Sequence, residues 1–172
     1  MTVLCDWEIL ARCMDEKMVV PFERGLLNPA SLDVRLGDNL MIETMYQEKL
    51  VRLDISGKTE DAPYLLMPGH FRLAETREFF NITDDISCRF VHKSSRARDG
   101  VNHLLAGWID PGFHGSRLTL ELKNERRHCP IRLWPGLKIG QIVFHCMSNV
   151  PQHSYAVTGH YNNHATVMPS VA

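Results

Sequence analysis

A period of two runs through most of this chain. In SLDVRLG, Leu32, Val34 and Leu36 point one way while Asp33 and Arg35 point the other, the alternation of a strand with a covered face. LMIETM, KLVRLDI, YLLMP, HFRLAET, ISCRFVH and SRLTLELKN read the same way. In SRLTLELKN, Leu118, Leu120 and Leu122 share one face, and Thr119, Glu121 and Lys123 share the other. The run IRLWPGLKIGQIVFHCM splits at Pro135-Gly136, where Pro suits the second and Gly the third position of a type II turn. Short strands separated by turn residues, with no helices alternating between them, predict a mainly β chain closed as an antiparallel barrel or sandwich.

Two segments break the period. MTVLCDWEILARCMDEKM reads as a short amphipathic helix with Asp6 as N-cap and Trp7, Leu10, Cys13 and Met14 on one side. It lacks the basic start and apolar run of a signal peptide. From Ser148 onward the alternation fades into a polar segment rich in histidine, asparagine and tyrosine. The 172 residues therefore read as one domain, 1–172, in which 149–172 form a C-terminal tail. A formal net charge of -1 gives no general attraction to nucleic acid or to a membrane surface, and no apolar run reaches the length of a membrane span. Five scattered cysteines suit reduced thiols in a cytoplasm.

Against that near-neutral background, HKSSRARDG is dense in donors. Arg89, His92, Lys93, Arg96 and Arg98 lie close together, with Ser94 and Ser95 adding hydroxyls. Arginine forks and serine hydroxyls suit phosphate oxygens, because they combine charge with directed hydrogen bonds. Strand alternation would scatter these side chains over two faces, so a phosphate site needs a turn or short helix here. A solvated face is the plainer reading of such a run. Downstream, AGWIDPGFHG combines small residues, a buried-looking Trp108-Ile109 pair, an acid at Asp110 and a Pro-Gly turn.

LNPASLDVRLG, PGHFRLAETREFFNITDDI, KSSRAR, AGWIDPGFHGSRLTLEL and LWPGLKIGQIVF, in this order, resemble the dCTP deaminase branch of the dUTPase superfamily. That resemblance implies a distorted, dUTPase-like antiparallel β-barrel, assembled as a homotrimer with active sites between subunits. It implies hydrolytic deamination of dCTP at C4 of cytosine, to dUTP and ammonia. AGWID is similar to bifunctional members that continue to dUMP and diphosphate. Glu121 matches the catalytic glutamate, Ser94 and Arg98 the pair beside it, and Ala106 the residue whose carbonyl helps hold the attacking water. Lys93, Ser95 and Arg98 match triphosphate contacts, with Arg96 and Ala97 in the same motif. Asp110 matches the acid near the sugar, Thr119 and Leu120 flank the catalytic glutamate, and Gln141 and Tyr155 match further nucleotide contacts. One carboxylate can shuttle both protons of the reaction, with Arg98 keeping it oriented and ionised. No H-x-E or C-x-x-C is present, so no zinc is expected; magnesium is expected to arrive on the triphosphate. The resemblance also raises dTTP as a feedback inhibitor.

Some positions depart from the pattern. His92 replaces a small residue, Arg96 a leucine, and Leu105 a threonine whose hydroxyl would lie near the reacting end. One extra residue falls near Ser116-Arg117, which a bulge should absorb. His160 stands where a lysine is common and His164 where a glutamine is common, weakening phosphate attraction at neutral pH. The competing readings are a plain dUTPase, for which the tail lacks a Gly-rich phosphate motif, and a non-catalytic nucleotide-binding regulator, motivated by Leu105 and the altered tail.

Overall fold

The computed structural model describes residues 2–45 and 47–171; Met1 and Ala172, the outermost residues of the expected domain, lie outside them. The strands are β1 (Thr2–Val3), β2 (Val19–Val20), β3 (Leu27–Asn28), β4 (Ser31–Thr44), β5 (Gln47–Asp54), β6 (Tyr64–Leu66), β7 (Phe71–Asn81), β8 (Ile86–His92), β9 (Val101–Asn102), β10 (Trp108–Ile109), β11 (His114–Asn124), β12 (Ile131–Leu133) and β13 (Lys138–Cys146). Among the described residues three α-helices accompany them, α1 (Asp6–Asp15), α2 (Ser94–Arg98) and α3 (Tyr155–Thr158), with one 3-10 turn at Arg24–Leu26. The main sheet runs β10-β8-β13-β4-β7-β11-β9, with β1 on β13, β2 on β7, and β3 and β5 on β4; β12 pairs with β6 separately. The pairings are antiparallel, as the alternation predicts.

The long strand β4 ties the sheet together. Its first half registers on β13 and its second half on β5 and β7. At the changeover sits Gly37, where a Cβ would lie 2.5 Å from the side chain of Glu75. Both faces of this strand are covered. Leu32, Val34 and Leu36 join the core, and Asp33 and Arg35 are buried as well. Burial of charge is tolerable only with partners, and they are present. Asp33 accepts from Lys93 (2.6 Å) and Asn28 (2.8 Å) and pairs with Lys138 (3.1 Å). Arg35 donates to Glu78 (2.7 Å) and Glu23 (2.6 Å).

The Pro135-Gly136 turn forms as expected: Gly136 has φ 86°, and the Leu137 N–H donates to the Trp134 carbonyl at 3.2 Å. Where a bulge is expected, the β11–β7 register is irregular twice, between His114 and Ser116 and between Arg117 and Thr119. The first shift lies around Gly115, which takes φ 63°, a conformation glycine adopts without steric cost.

Helix α1 departs from the sequence reading in two ways. Its N-cap is Cys5, and Glu8 accepts the Cys5 N–H at 2.9 Å; Asp6 is the first helical residue instead. The covered side carries Ile9 and Cys13, while Trp7 is 68% exposed and Met14 is also exposed.

The tail is folded against the sheet. Ser154 caps α3 by accepting from the Ala156 N–H. The N–H groups of Asn163 and His164 donate to the His114 carbonyl (3.1 Å) and Ser116 Oγ (3.0 Å). Val167, 1% exposed, packs on Met41 and Leu73, and its N–H donates to the buried carboxylate of Glu75 at 2.7 Å.

Candidate active site

Strand alternation on β11 sends Leu120 and Leu122 into the core and turns Thr119 and Glu121 toward a cavity of about 570 Å³. Its other walls come from Ala106 and Asp110 of the β9–β11 connection and from Tyr155, Tyr161 and His164 of the tail. Trp108, expected to be buried, is 52% exposed and forms part of the rim; its indole N–H donates to Asp110 at 3.0 Å. An edge position beside an opening, rather than the core, accounts for that exposure.

The loop from His103 to Gly107 is tightly wound. Leu104 and Leu105 both have positive φ, 46° and 64°, an uncommon conformation for residues with a Cβ. The Leu104 N–H is held by the Asn102 side chain at 3.0 Å, and Gly107 is pinned by a hydrogen bond from the Phe90 N–H to its carbonyl at 2.7 Å. This winding exposes Ala106 toward the cavity, leaves Leu105 95% exposed and drives His103 inward. The His103 ring packs on Phe90, centroids 4.4 Å apart, with Nε2 3.2 Å from Glu121 Oε2. The contact is not aligned as a hydrogen bond, and both atoms lack another partner. Catalytic contacts in unliganded sites are often loose and tighten with substrate.

The electrostatics follow from burial. Desolvation raises the Glu121 pKa above the ordinary carboxylate value. Burial, reinforced by neighbouring His92, pushes His103 down to about 4. Near neutral pH the imidazole is therefore neutral, and the carboxyl group beside it holds a proton more readily than an exposed one. The arrangement is a partly dry cavity with one carboxylate whose proton affinity is shifted toward neutrality.

The residues singled out in the sequence fall into two groups. Glu121, Ala106, Asp110, Thr119, Tyr155 and His164 line the one cavity. Leu120 is outside that lining, its side chain being in the core. Lys93, Ser94, Ser95, Arg96, Ala97 and Arg98 form the N-cap and body of α2, away from that lining. The stretch takes the short helical form that a phosphate site requires, but Lys93 is engaged by Asp33 and Arg96 by Asp99 (3.0 Å). No ion pair joins Arg98 to Glu121 among the described residues; the group that faces the carboxylate within one chain is the His103 ring. Gln141 accepts from the Ser31 hydroxyl at 2.8 Å. His160 is exposed outside the lining, and its carbonyl is 3.2 Å from His164 Nε2. Sequence reading missed His103 and Arg117. The signal for His103 was a histidine three residues before Ala106, in a segment too short for periodicity to place it.

Residues 3–147 match the family model for dCTP deaminase-like proteins. The chain belongs to this family. Among curated members, a dCTP deaminase, dUMP-forming, of Acidothermus cellulolyticus is 39% identical over 89% of this chain and 84% of its own. A protein of the same description from Methanosphaerula palustris is 36% identical over 87% of this chain and 84% of its own. Among solved structures, the 2'-deoxycytidine 5'-triphosphate deaminase of Agrobacterium tumefaciens superposes with a TM-score of 0.67 at 20% identity, covering 84% of this chain. The present chain spans about half of that protein's length, 48%, and the likeness is one of fold.

Proposed function

We propose that this family member deaminates dCTP by hydrolysis and carries the product on to dUMP and diphosphate. The observation that bears most weight is Glu121, a cavity-wall carboxylate with raised proton affinity, 3.2 Å from a buried neutral histidine. In the first step water adds at C4 of the cytosine. Glu121 accepts a first proton from the water and delivers it to the ring nitrogen. It then takes the second proton from the C4 hydroxyl of the adduct and delivers it to the amino group, so that the C4–N bond breaks, C4 keeps the oxygen as a carbonyl, and ammonia leaves with dUTP as the other product. In this reading the Ala106 carbonyl accepts from the attacking water, and the His103 ring stays beside the carboxylate as it cycles. In the second step another water attacks the α-phosphate and diphosphate departs, with Asp110 placed to organise that water. The dUMP-forming description of the curated relatives supports the two-step outcome.

The α2 donors, Lys93, Ser94, Ser95 and Arg98, serve the triphosphate from a neighbouring copy in a homotrimer, since α2 does not line its own chain's cavity. The same sugar and triphosphate contacts would admit dTTP as a feedback ligand. Magnesium fits as a passenger. Among the described residues no three His, Cys, Asp or Glu side chains group to hold an ion, so phosphate oxygens and water would be its ligands. When bound it neutralises phosphate charge. No helix among the described residues is long and apolar enough to cross a membrane; we place the protein in the cytoplasm as a single domain whose tail covers the nucleotide.

Incubation of the protein with dCTP and magnesium, with separation of nucleotides and assays of ammonia and diphosphate, tests this. Ammonia, dUMP and diphosphate in equal amounts are expected. Accumulation of dUTP would remove the second step. Untouched dCTP with hydrolysed dUTP would replace the reading by a plain dUTPase, and silence on both would favour a regulator.

A further inference from the structure

Of the charged side chains lining the cavity among the described residues, Asp110 and Glu121 are acids and His164 is titratable, which leaves Arg117 as the one permanent cation that the chain supplies to its own cavity. A nucleoside triphosphate cannot enter a pocket with two carboxylates unless positive charge meets its phosphates. We infer that Arg117 is a phosphate-binding residue of this site, standing in for the cation that the tail lacks at His160. The inference rests on the nucleotide reading above and names a residue that reading does not include.

The position follows from the chain. Gly115 lies at a register shift of β11 on β7, a second shift follows between Arg117 and Thr119, and Arg117, Thr119 and Glu121 all line the cavity. Four residues of strand separate Arg117 from Glu121 by about 13 Å. That is the scale of a nucleotide from its base to its phosphate chain, so with cytosine at Glu121 the phosphates reach toward Arg117. The tail lies against the same spot, because the Arg117 N–H donates to the His164 carbonyl at 3.1 Å. A cation on the strand thereby occupies ground that a tail lysine would otherwise cover.

The guanidinium is held in place but not consumed. It lies over the Phe79 ring, 4.7 Å from its centroid, and one NH1 proton goes to the Thr76 carbonyl at 3.0 Å. The nearest acid is Glu75, at 3.6 Å. Both oxygens of Glu75 already accept, one from Asn39 (2.9 Å) and the other from the Val167 N–H (2.7 Å). Arg117 Nε is buried, out of a ligand's reach, whereas the amino group NH2 is not buried and has no acceptor among the described residues. A fixed guanidinium with donors to spare matches phosphate oxygens.

The test is calorimetric binding of dCTP and of deoxycytidine to the intact protein carrying Glu121→Gln, with and without Arg117→Met. Loss of one charge-assisted contact should weaken dCTP binding about 10- to 100-fold and leave deoxycytidine within about twofold, with Arg117→Lys recovering part of the loss. Equal weakening of both ligands, or none of dCTP, would overturn the inference. Should Arg117→Met fail to fold, Arg117→Gln retains volume and an amide donor toward Thr76 and gives the same comparison. The ammonia assay on the unmodified protein separates the two readings. Tight dCTP binding without ammonia defeats the catalytic reading and leaves the Arg117 comparison intact, whereas ammonia release with no dCTP-selective loss defeats only the Arg117 inference.

Discussion

Glu121 carries a conflict between stability and chemistry. Burial raises its pKa, so the ionised form is worse solvated in the folded chain than in the unfolded one. The sign follows from linkage: folding is favoured below the ordinary carboxylate pKa, and that advantage is lost as pH rises through the folded value. Glu121→Gln keeps the shape and removes the charge. Deamination should fall by about 10²- to 10⁴-fold with dCTP binding largely kept. The variant should melt above the parent in mildly alkaline buffer, the gap closing near about pH 4. Melting curves at the two pH values together with the ammonia assay check both halves; undiminished ammonia release would remove Glu121 from the mechanism. His103 has the opposite sign. Its pKa is depressed from 6.5 to about 4, so its share of stability is present above 6.5 and drains away as pH falls through that window.

At the scale of elements, a period of two was enough to read β4, β7, β8, β11 and β13, because each has a core face that only apolar residues can fill. It was also enough to place Glu121 and Thr119 opposite Leu120 and Leu122. Periodicity failed where burial depends on what arrives from elsewhere. Trp7 and Met14 form an apolar stripe on α1, yet the sheet covers Ile9 and Cys13. Asp33 and Arg35 read as an outward face, yet both are buried under charges supplied by Lys93, Lys138, Glu78 and Glu23. The bulge near Arg117 was legible as an insertion, but its consequence was not. Gly115 at φ 63° sits against the tail, and a Cβ there would lie 2.5 Å from Asn163 Oδ1. Gly115→Ala should cost about 1–2 kcal/mol through the left-handed backbone alone and displace the tail. We expect a raised KM for dCTP and faster proteolytic cleavage beyond Ser148, and a KM and cleavage pattern like the parent's would show that the tail tolerates the added methyl.

At the scale of the molecule, the carboxylate of Glu121 lines the cavity of its own chain and the donor-rich helix α2 does not. Sequence order along a single chain cannot say whether Arg98 reaches Glu121 from its own subunit or from a neighbour, which is why the two groups were legible as motifs but not as one site. The surface favours a neighbour. Leu105, Trp108 and Trp7 are large apolar side chains left exposed; Trp108 lines the cavity with Ala106 and Leu105 adjoins Ala106 in the chain, where a second chain would complete the walls. Exposed apolar groups clustered at a functional edge mark an interaction surface, and a closed symmetric ring repeats such a site at each boundary. Complementation decides the matter. Glu121→Gln and Arg98→Gln homo-oligomers should each be inactive, and mixed oligomers refolded from equal amounts of both should regain activity. If each site takes Glu121 from one chain and Arg98 from the next, random mixing restores both residues in about a quarter of the sites. If Arg98 serves its own chain, no mixed site contains both residues and activity stays at the level of the separate variants.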